Sequence, residues 1–179
     1  MKQPKIFVEL NRENIECYTH KYAIDIIIPY LKKEWIIWAP FSKDEHNFAN
    51  YLRSKGFNVI NTHIETGQDF FEYEPDFEFD IILDNPPFKN KTKFVEKAFS
   101  YKKPFALLLP LNSFGDNGIP NLFMERKIEP QMLIPKQRME FHNQKNNGIS
   151  FKTVYICNGI LPKQIIFVDM KKVKLISDF

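Results

Sequence analysis

The run Asp80-Ile81-Ile82-Leu83-Asp84, followed at once by Asn85-Pro86-Pro87-Phe88, constrains the fold more than any other stretch of the chain. Three consecutive apolar residues between acids read as a strand buried on both faces. Two adjacent prolines cannot extend that strand, because each lacks an amide donor and has its φ fixed. The chain therefore leaves the sheet at Asn85 in a stiff loop. In parallel α/β sheets, ligands lie against loops of this kind at the carboxyl ends of strands.

The loop has a definite chemistry. Pro87 drives Pro86 into extended backbone, which can aim the Pro86 carbonyl outward beside the Asn85 amide oxygen. The two oxygens then form a pair of acceptors about one planar NH2 group wide. Phe88 adds a flat face for stacking, worth ~1–3 kcal/mol per base in nucleic-acid complexes. A ring-conjugated amine is a poor nucleophile, and accepting both of its hydrogens pushes nitrogen electron density toward an incoming electrophile.

The rest of the chain supplies a setting for this loop. At 179 residues it is read as one domain with a single full core. An apolar-periodic helix spans Ala23 to Leu31, with Thr19 as its N-cap. Glu34–Ala39 is the first strand and Pro40-Phe41-Ser42 ends it. A helix capped by Ser42 or Asp44 runs to Lys55, with Gly56 closing it. Strands follow at Phe57–Ile64, a short one at Asp69–Phe71, then Phe79–Leu83, Phe105–Leu109, Gln131–Ile134 and Ser150–Asn158. Helices are expected over Lys91–Tyr101 and Pro120–Lys127. Alternating helices and apolar strands imply a parallel α/β sheet. The last two strands, with no helix between them, imply an antiparallel closing hairpin. Cys17 and Cys157 stand too far apart in sequence to suggest a disulfide framework or a metal site. No apolar run approaches the ~20 residues needed to span a membrane and no signal-peptide pattern opens the chain. A soluble protein of a reducing compartment, the cytoplasm, is expected.

Asn85-Pro86-Pro87-Phe88 resembles the (Asn/Asp/Ser)-Pro-Pro-aromatic signature of amino-methyltransferases that use S-adenosylmethionine (SAM). The resemblance covers about residues 18–160 and is closest to small, phage-type N6-adenine methyltransferases, which have no separate target-recognition domain. It implies a Rossmann-like SAM methyltransferase fold, with a mostly parallel seven-stranded sheet and an antiparallel C-terminal hairpin. It also implies Asn85, Pro86, Pro87 and Phe88 as the catalytic loop, and a bacterial or phage-infected cell as the setting. Tyr18-Thr19 matches an element that touches the methionine end of SAM, with His20 where proline is usual. Trp38-Ala39-Pro40-Phe41 falls where the family carries Asp-Pro-Phe before a glycine-rich turn; here Ala39 replaces the acid, and no glycine occurs between Lys33 and Lys55. His63 stands where an acid usually accepts from the ribose. Gly67-Gln68-Asp69-Phe70 fits the Gly-x-Asp-Phe pattern, which implies Asp69 on the adenine amine of SAM and Phe70 against its ring. Asp84 implies a residue that holds the loop or touches SAM. No metal is implied.

Charge is segregated along the chain. Residues 65–84 hold eight acids and no Lys or Arg, whereas residues 89–103 hold six lysines against one acid, Glu96. Lys89, Lys91 and Lys93 directly follow the catalytic loop, and Lys136 and Arg138 form a second basic group beside the polar stretch 142–149. Phosphates flanking an extruded base are expected on these residues, and 142–149 is the expected target-reading loop. The resemblance implies a nucleic-acid partner, with DNA favoured over RNA, and the charge pattern is in keeping with it. A glutamine-amide methyltransferase is a rival with the same acceptors, but that group normally has an intact glycine-rich loop and an extra N-terminal domain. The alternative in another class is a non-catalytic nucleic-acid-binding protein on a degenerate methyltransferase scaffold.

Overall fold

The computed structural model describes residues 18–43, 47–115, 117–139, 141–142 and 152–170, with backbone alone at 18, 47, 141 and 142. Its strands are β1 (Tyr18–Thr19), β2 (Ile36–Ala39), β3 (Asn58–Asn61), β4 (Ile81–Asp84), β5 (Phe105–Pro110), β6 (Gln131–Pro135), β7 (Phe141–His142), β8 (Thr153–Asn158) and β9 (Ile165–Val168). Its helices are α1 (Lys21–Asp25), α2 (Asn47–Ser54), α3 (Lys91–Ser100) and α4 (Gly118–Arg126). Seven strands form one sheet in the order β3-β2-β4-β5-β8-β6-β9, and β1 pairs with β7 in a separate two-stranded ribbon.

Within the large sheet only β8 runs against its neighbours, antiparallel to both β5 and β6. The other pairings are parallel. The expected seven-stranded, mostly parallel sheet with an antiparallel late pair is present, but its membership differs in two places. Residues 69–71 form a turn: Asp69 Oδ1 accepts from the Phe71 amide at 3.0 Å, and the Asp69 carbonyl accepts from Glu72 and Tyr73. An aspartate that bonds its own following backbone competes with a ladder. The seventh strand is instead β9, beyond residue 160, lying parallel to β6 at the sheet edge.

The alternation of side chains along the strands divides the core into two faces. Ile37, Ala39, Ile81, Leu83, Ala106, Leu108 and Tyr155 pack toward Ala23, Ile24, Phe48, Ala49 and Leu52 of α1 and α2. Trp38, Ile82, Phe105, Leu107, Leu109 and Ile156 pack toward Phe94, Val95, Ala98, Phe99, Ile119, Leu122 and Phe123 of α3 and α4. Where α3 and α4 meet, Gly118 is required by space. A Cβ there would lie 2.5 Å from Thr92 Oγ1 and 2.9 Å from Thr92 Cγ2.

Two helix expectations are corrected. The stretch 23–31 is a short α1 followed by a 3-10 turn at Ile28–Tyr30, because Pro29 has no amide to continue the ladder. Thr19 lies in β1, and His20 occupies the cap position with no capping hydrogen bond from its side chain. Ser42 donates to Asp84 rather than capping α2, and Asp44 lies outside the described residues. At the free edge of β3, Arg53 donates to the Val59 carbonyl at 3.1 and 2.9 Å and to Asn61 Oδ1. Edge acceptors that would otherwise be unpaired are thereby satisfied.

Candidate active site

The carboxyl ends of β2, β3 and β4 lie side by side, in register Ala39 with Asn61 and Trp38 with Ile82. The loops leaving them therefore converge on one edge of the sheet. Apolar burial of β4 carries Asp84 into the interior, where its side chain is 1% exposed. Pro86 behind it is buried, Pro87 is exposed, and Phe88 is half-buried, packed against both core faces.

Asp84 joins two of these loops. Its Oδ2 accepts from the Phe41 amide at 2.7 Å. Its Oδ1 accepts from the Ser42 hydroxyl at 2.8 Å and from the Asn85 amide at 2.8 Å. Burial pushes the Asp84 carboxyl up to about 6, against the opposing pull of these three donors. Asn85 is fixed at its other end, since its Nδ2 donates to Thr19 Oγ1 at 3.0 Å. That bond engages the donor branch of the amide and turns the acceptor branch away from Thr19. Thr19 is itself held in register opposite Phe141 by the β1–β7 ribbon.

The other expected cofactor residues divide into two groups. Trp38 and Phe70 are core residues, 0% and 2% exposed. Trp38 donates to Thr62 Oγ1 at 3.0 Å, and its ring meets those of Phe70, Phe79 and Tyr101 at 5.0–5.4 Å. Phe41 is half-buried and rests edge-on against Phe70 and Phe94, with centroids 4.9 Å away in both cases. The aromatic surface at the edge is thus Phe41, with Phe70 behind it. Ala39 and Pro40 are buried beneath the same loop. His63 caps the 3-10 turn Ile64–Thr66, its Nδ1 accepting from the Glu65 amide at 3.1 Å. Gly67 closes that turn at φ 81°, a conformation that favours glycine. The backbone of Tyr18 lies in β1.

These residues fit SAM at two of its three parts. Thr19 offers a hydroxyl oxygen to an ammonium group, and Phe41 and Asp69 offer a half-buried aromatic face and a half-buried carboxylate to adenine, whereas Asp84, 1% exposed with both oxygens engaged, holds the loops and is closed to a ligand. The ribose has no carboxylate at the end of β3, where His63 already accepts a backbone amide. The loop after β2 lacks the glycines that allow close backbone approach; it is held instead through Phe41, Ser42 and the Asn61 Nδ2 bond to the Ser42 carbonyl at 2.9 Å.

The basic residues are spread along the same edge. Lys89 and Lys93 are exposed and Lys91 is half-buried at the start of α3. Lys97, farther along that helix, pairs with Glu74 at 2.8 Å. Lys136 pairs with Asp169 at 2.9 Å, which lowers the Asp169 carboxyl below its usual range. Lys136 and exposed Arg138 follow β6, three strands from β4. The candidate reading loop at 143–149 lies outside the described residues. Among the described residues no cluster of three or more His, Cys, Asp or Glu is placed to hold a metal, and no helix is long and apolar enough to cross a membrane.

No family model and no curated protein matches the chain. Solved structures do. A protein from Listeria monocytogenes assigned to the class I SAM-dependent methyltransferases superposes with a TM-score of 0.51 at 14% identity, over 87% of this chain and 66% of that one. A type I restriction enzyme modification subunit from Vibrio vulnificus gives 0.48 at 9% identity, over 93% and 49%. The chain thus spans 66% and 49% of the lengths of these two proteins. At such identities the likeness concerns architecture, and the seven-stranded α/β sheet with its one reversed strand is the Rossmann-like fold of class I SAM-dependent methyltransferases.

Proposed function

We propose that the chain is a SAM-dependent methyltransferase acting on the exocyclic amine of adenine in nucleic acid, with DNA as the favoured substrate. The observation that carries this reading is the fixed Asn85 amide, held at its donor end by Thr19 and at its backbone by Asp84. SAM, when bound, supplies an electrophilic methyl group. The chain's own residues hold and orient the acceptor. Asn85 Oδ1 and the Pro86 carbonyl accept the two amine hydrogens, and Phe88 stacks on the base once it has left its stack at a cost of a few kcal/mol. Positioning then supplies most of the acceleration, and no general base is required before transfer. Thr19 would face the methionine end of SAM, and Phe41 and Asp69 its adenine, while Asp84 holds the two loops from beneath. Lys89, Lys91, Lys93 and Arg138 would take flanking phosphates.

The deciding experiment is Asn85→Ala, assayed for methyl transfer to adenine-containing DNA and RNA and for SAM binding. Transfer should fall by about 100-fold or more, the scale on which a single preorganised polar group matters, while SAM affinity changes little. Unchanged transfer would sink the assignment.

A second reading is favoured by one observation. The β2 loop lacks glycine, and its Phe41 amide and Ser42 hydroxyl are already donated to Asp84. On that reading the same loop binds an amino-bearing base without methylating it. Calorimetric titration with S-adenosylhomocysteine separates the two: micromolar binding lost in Asp69→Ala supports the enzyme, and no binding at millimolar ligand supports the scaffold.

A further inference from the structure

Asp84 is an interior carboxylate whose three donors come from two different loops. Ser42, from the loop after β2, and the Asn85 amide, from the loop after β4, meet on a single oxygen, Oδ1, each at 2.8 Å. Phe41 takes the other oxygen at 2.7 Å. The first loop is anchored a second time through Asn61, and the second loop through Thr19. A displacement of Ser42 therefore acts on the atom that holds Asn85. The carboxylate is shielded from water that might replace a lost donor, so a broken bond leaves a buried charge short of a partner. The loop after β2 also has no glycine with which to shape itself around a ligand, so its form must be set in advance by its neighbours.

We propose that Asp84 is a positioning residue that makes the loop after β2 and the Asn85 loop a single unit, so that a ligand on the first and a base on the second bind cooperatively. The coupling rests on the methyl-transfer reading, in which the ligand is SAM and the base adenine. Cooperative binding then needs no contact between the two ligands. Each tightens the other by favouring the arrangement of Asp84 donors that both require.

The test uses the full chain as wild type, Asp84→Asn and Ser42→Ala. The serine change removes one donor and keeps the carboxylate, so it carries the test if the buried Asp84→Asn variant does not fold. Amide hydrogen exchange is followed over 39–43 and 84–89. Binding of S-adenosylhomocysteine and of oligodeoxyadenylate is measured separately and together. In the wild type each ligand should tighten the other by about 5-fold or more. In both variants that factor should fall toward one, with exchange rising in both segments together and each separate affinity changing by less than the coupling. A rise in one segment alone, or coupling retained in both variants, would overturn the proposal. A wild-type chain that binds no S-adenosylhomocysteine would instead count against methyl transfer, and the exchange measurements would still decide whether Asp84 joins the loops.

Discussion

At the scale of single residues, Asp84 has the most to report. An acid whose folded value stands near 6, against 3.8 for the ordinary group, holds its proton more tightly when folded. Its ionisation therefore opposes folding. The penalty is absent below about pH 4, grows as pH rises toward 6 and is complete above that, at about 3 kcal/mol from 1.36 kcal/mol per unit. Asp84→Asn cannot titrate. Thermal unfolding of both proteins between pH 4 and pH 7 should therefore show the wild type losing ground to the variant as pH rises, and parallel curves would refute it. That the chain leaves the sheet at Asn85-Pro86-Pro87-Phe88 was legible from the residues alone, because two prolines leave the backbone few options. The bonds that fix it were not legible. Asn85 reaches Thr19 across 66 positions and Asp84 reaches Ser42 across 42, and no local pattern marks such a pairing. Trp38 and Phe70 mislead for a related reason: an aromatic beside a site and an aromatic beneath it look alike in one dimension.

At the scale of elements, apolar runs gave β5 to within one residue and β2 and β4 to within two, since strands buried on both faces leave an unbroken signature. The turn at 69–71 carried the same apolar character for another purpose, filling the aromatic face of the core. β9 escaped because it lies beyond the family-like span and its side chains are only partly buried, in the pattern of an edge. The junction of α3 with α4 allows a direct check. Gly118→Ala forces a methyl against the β-branched Thr92, and overpacking of this kind typically costs ~1–3 kcal/mol. Urea denaturation should show that loss, and Thr92→Ala in the same chain should restore most of it. On the proposed nucleic-acid reading, the amino end of α3 takes part in binding. Lys89→Ala and Lys93→Ala should each weaken nucleic-acid affinity for every sequence and reduce the salt slope by ~1. Lys97→Ala should leave the slope unchanged, because Glu74 already holds that amine. Equal slopes for all three variants would remove α3 from the interface.

At the scale of the whole molecule, both faces of the core are built on the same strands, so neither can melt alone. Trp38 reports on one face and Trp35 packs at the other. Variants that keep one tryptophan each should give fluorescence transitions coinciding with the circular dichroism transition. Separated midpoints would mean two independent units. The acid-rich stretch 65–84 and the lysine-rich stretch after it look like opposed poles in sequence. In space they meet where Glu74 pairs with Lys97, while Asp80 is taken up by the Ile36 amide at the mouth of β2.

The place of β8 in the sheet has a consequence for biosynthesis. This strand sits between β5 and β6 although it is made after both. On the ribosome, β5 must wait with one edge bare while roughly fifty more residues emerge, a delay of about 2–10 s at ~5–20 residues per second. β6 leaves the exit tunnel with no neighbour to join. A truncated nascent chain would expose the all-apolar β5 edge to other chains, so holdase chaperones should engage this protein over that interval and release it once Asn158 has cleared the tunnel.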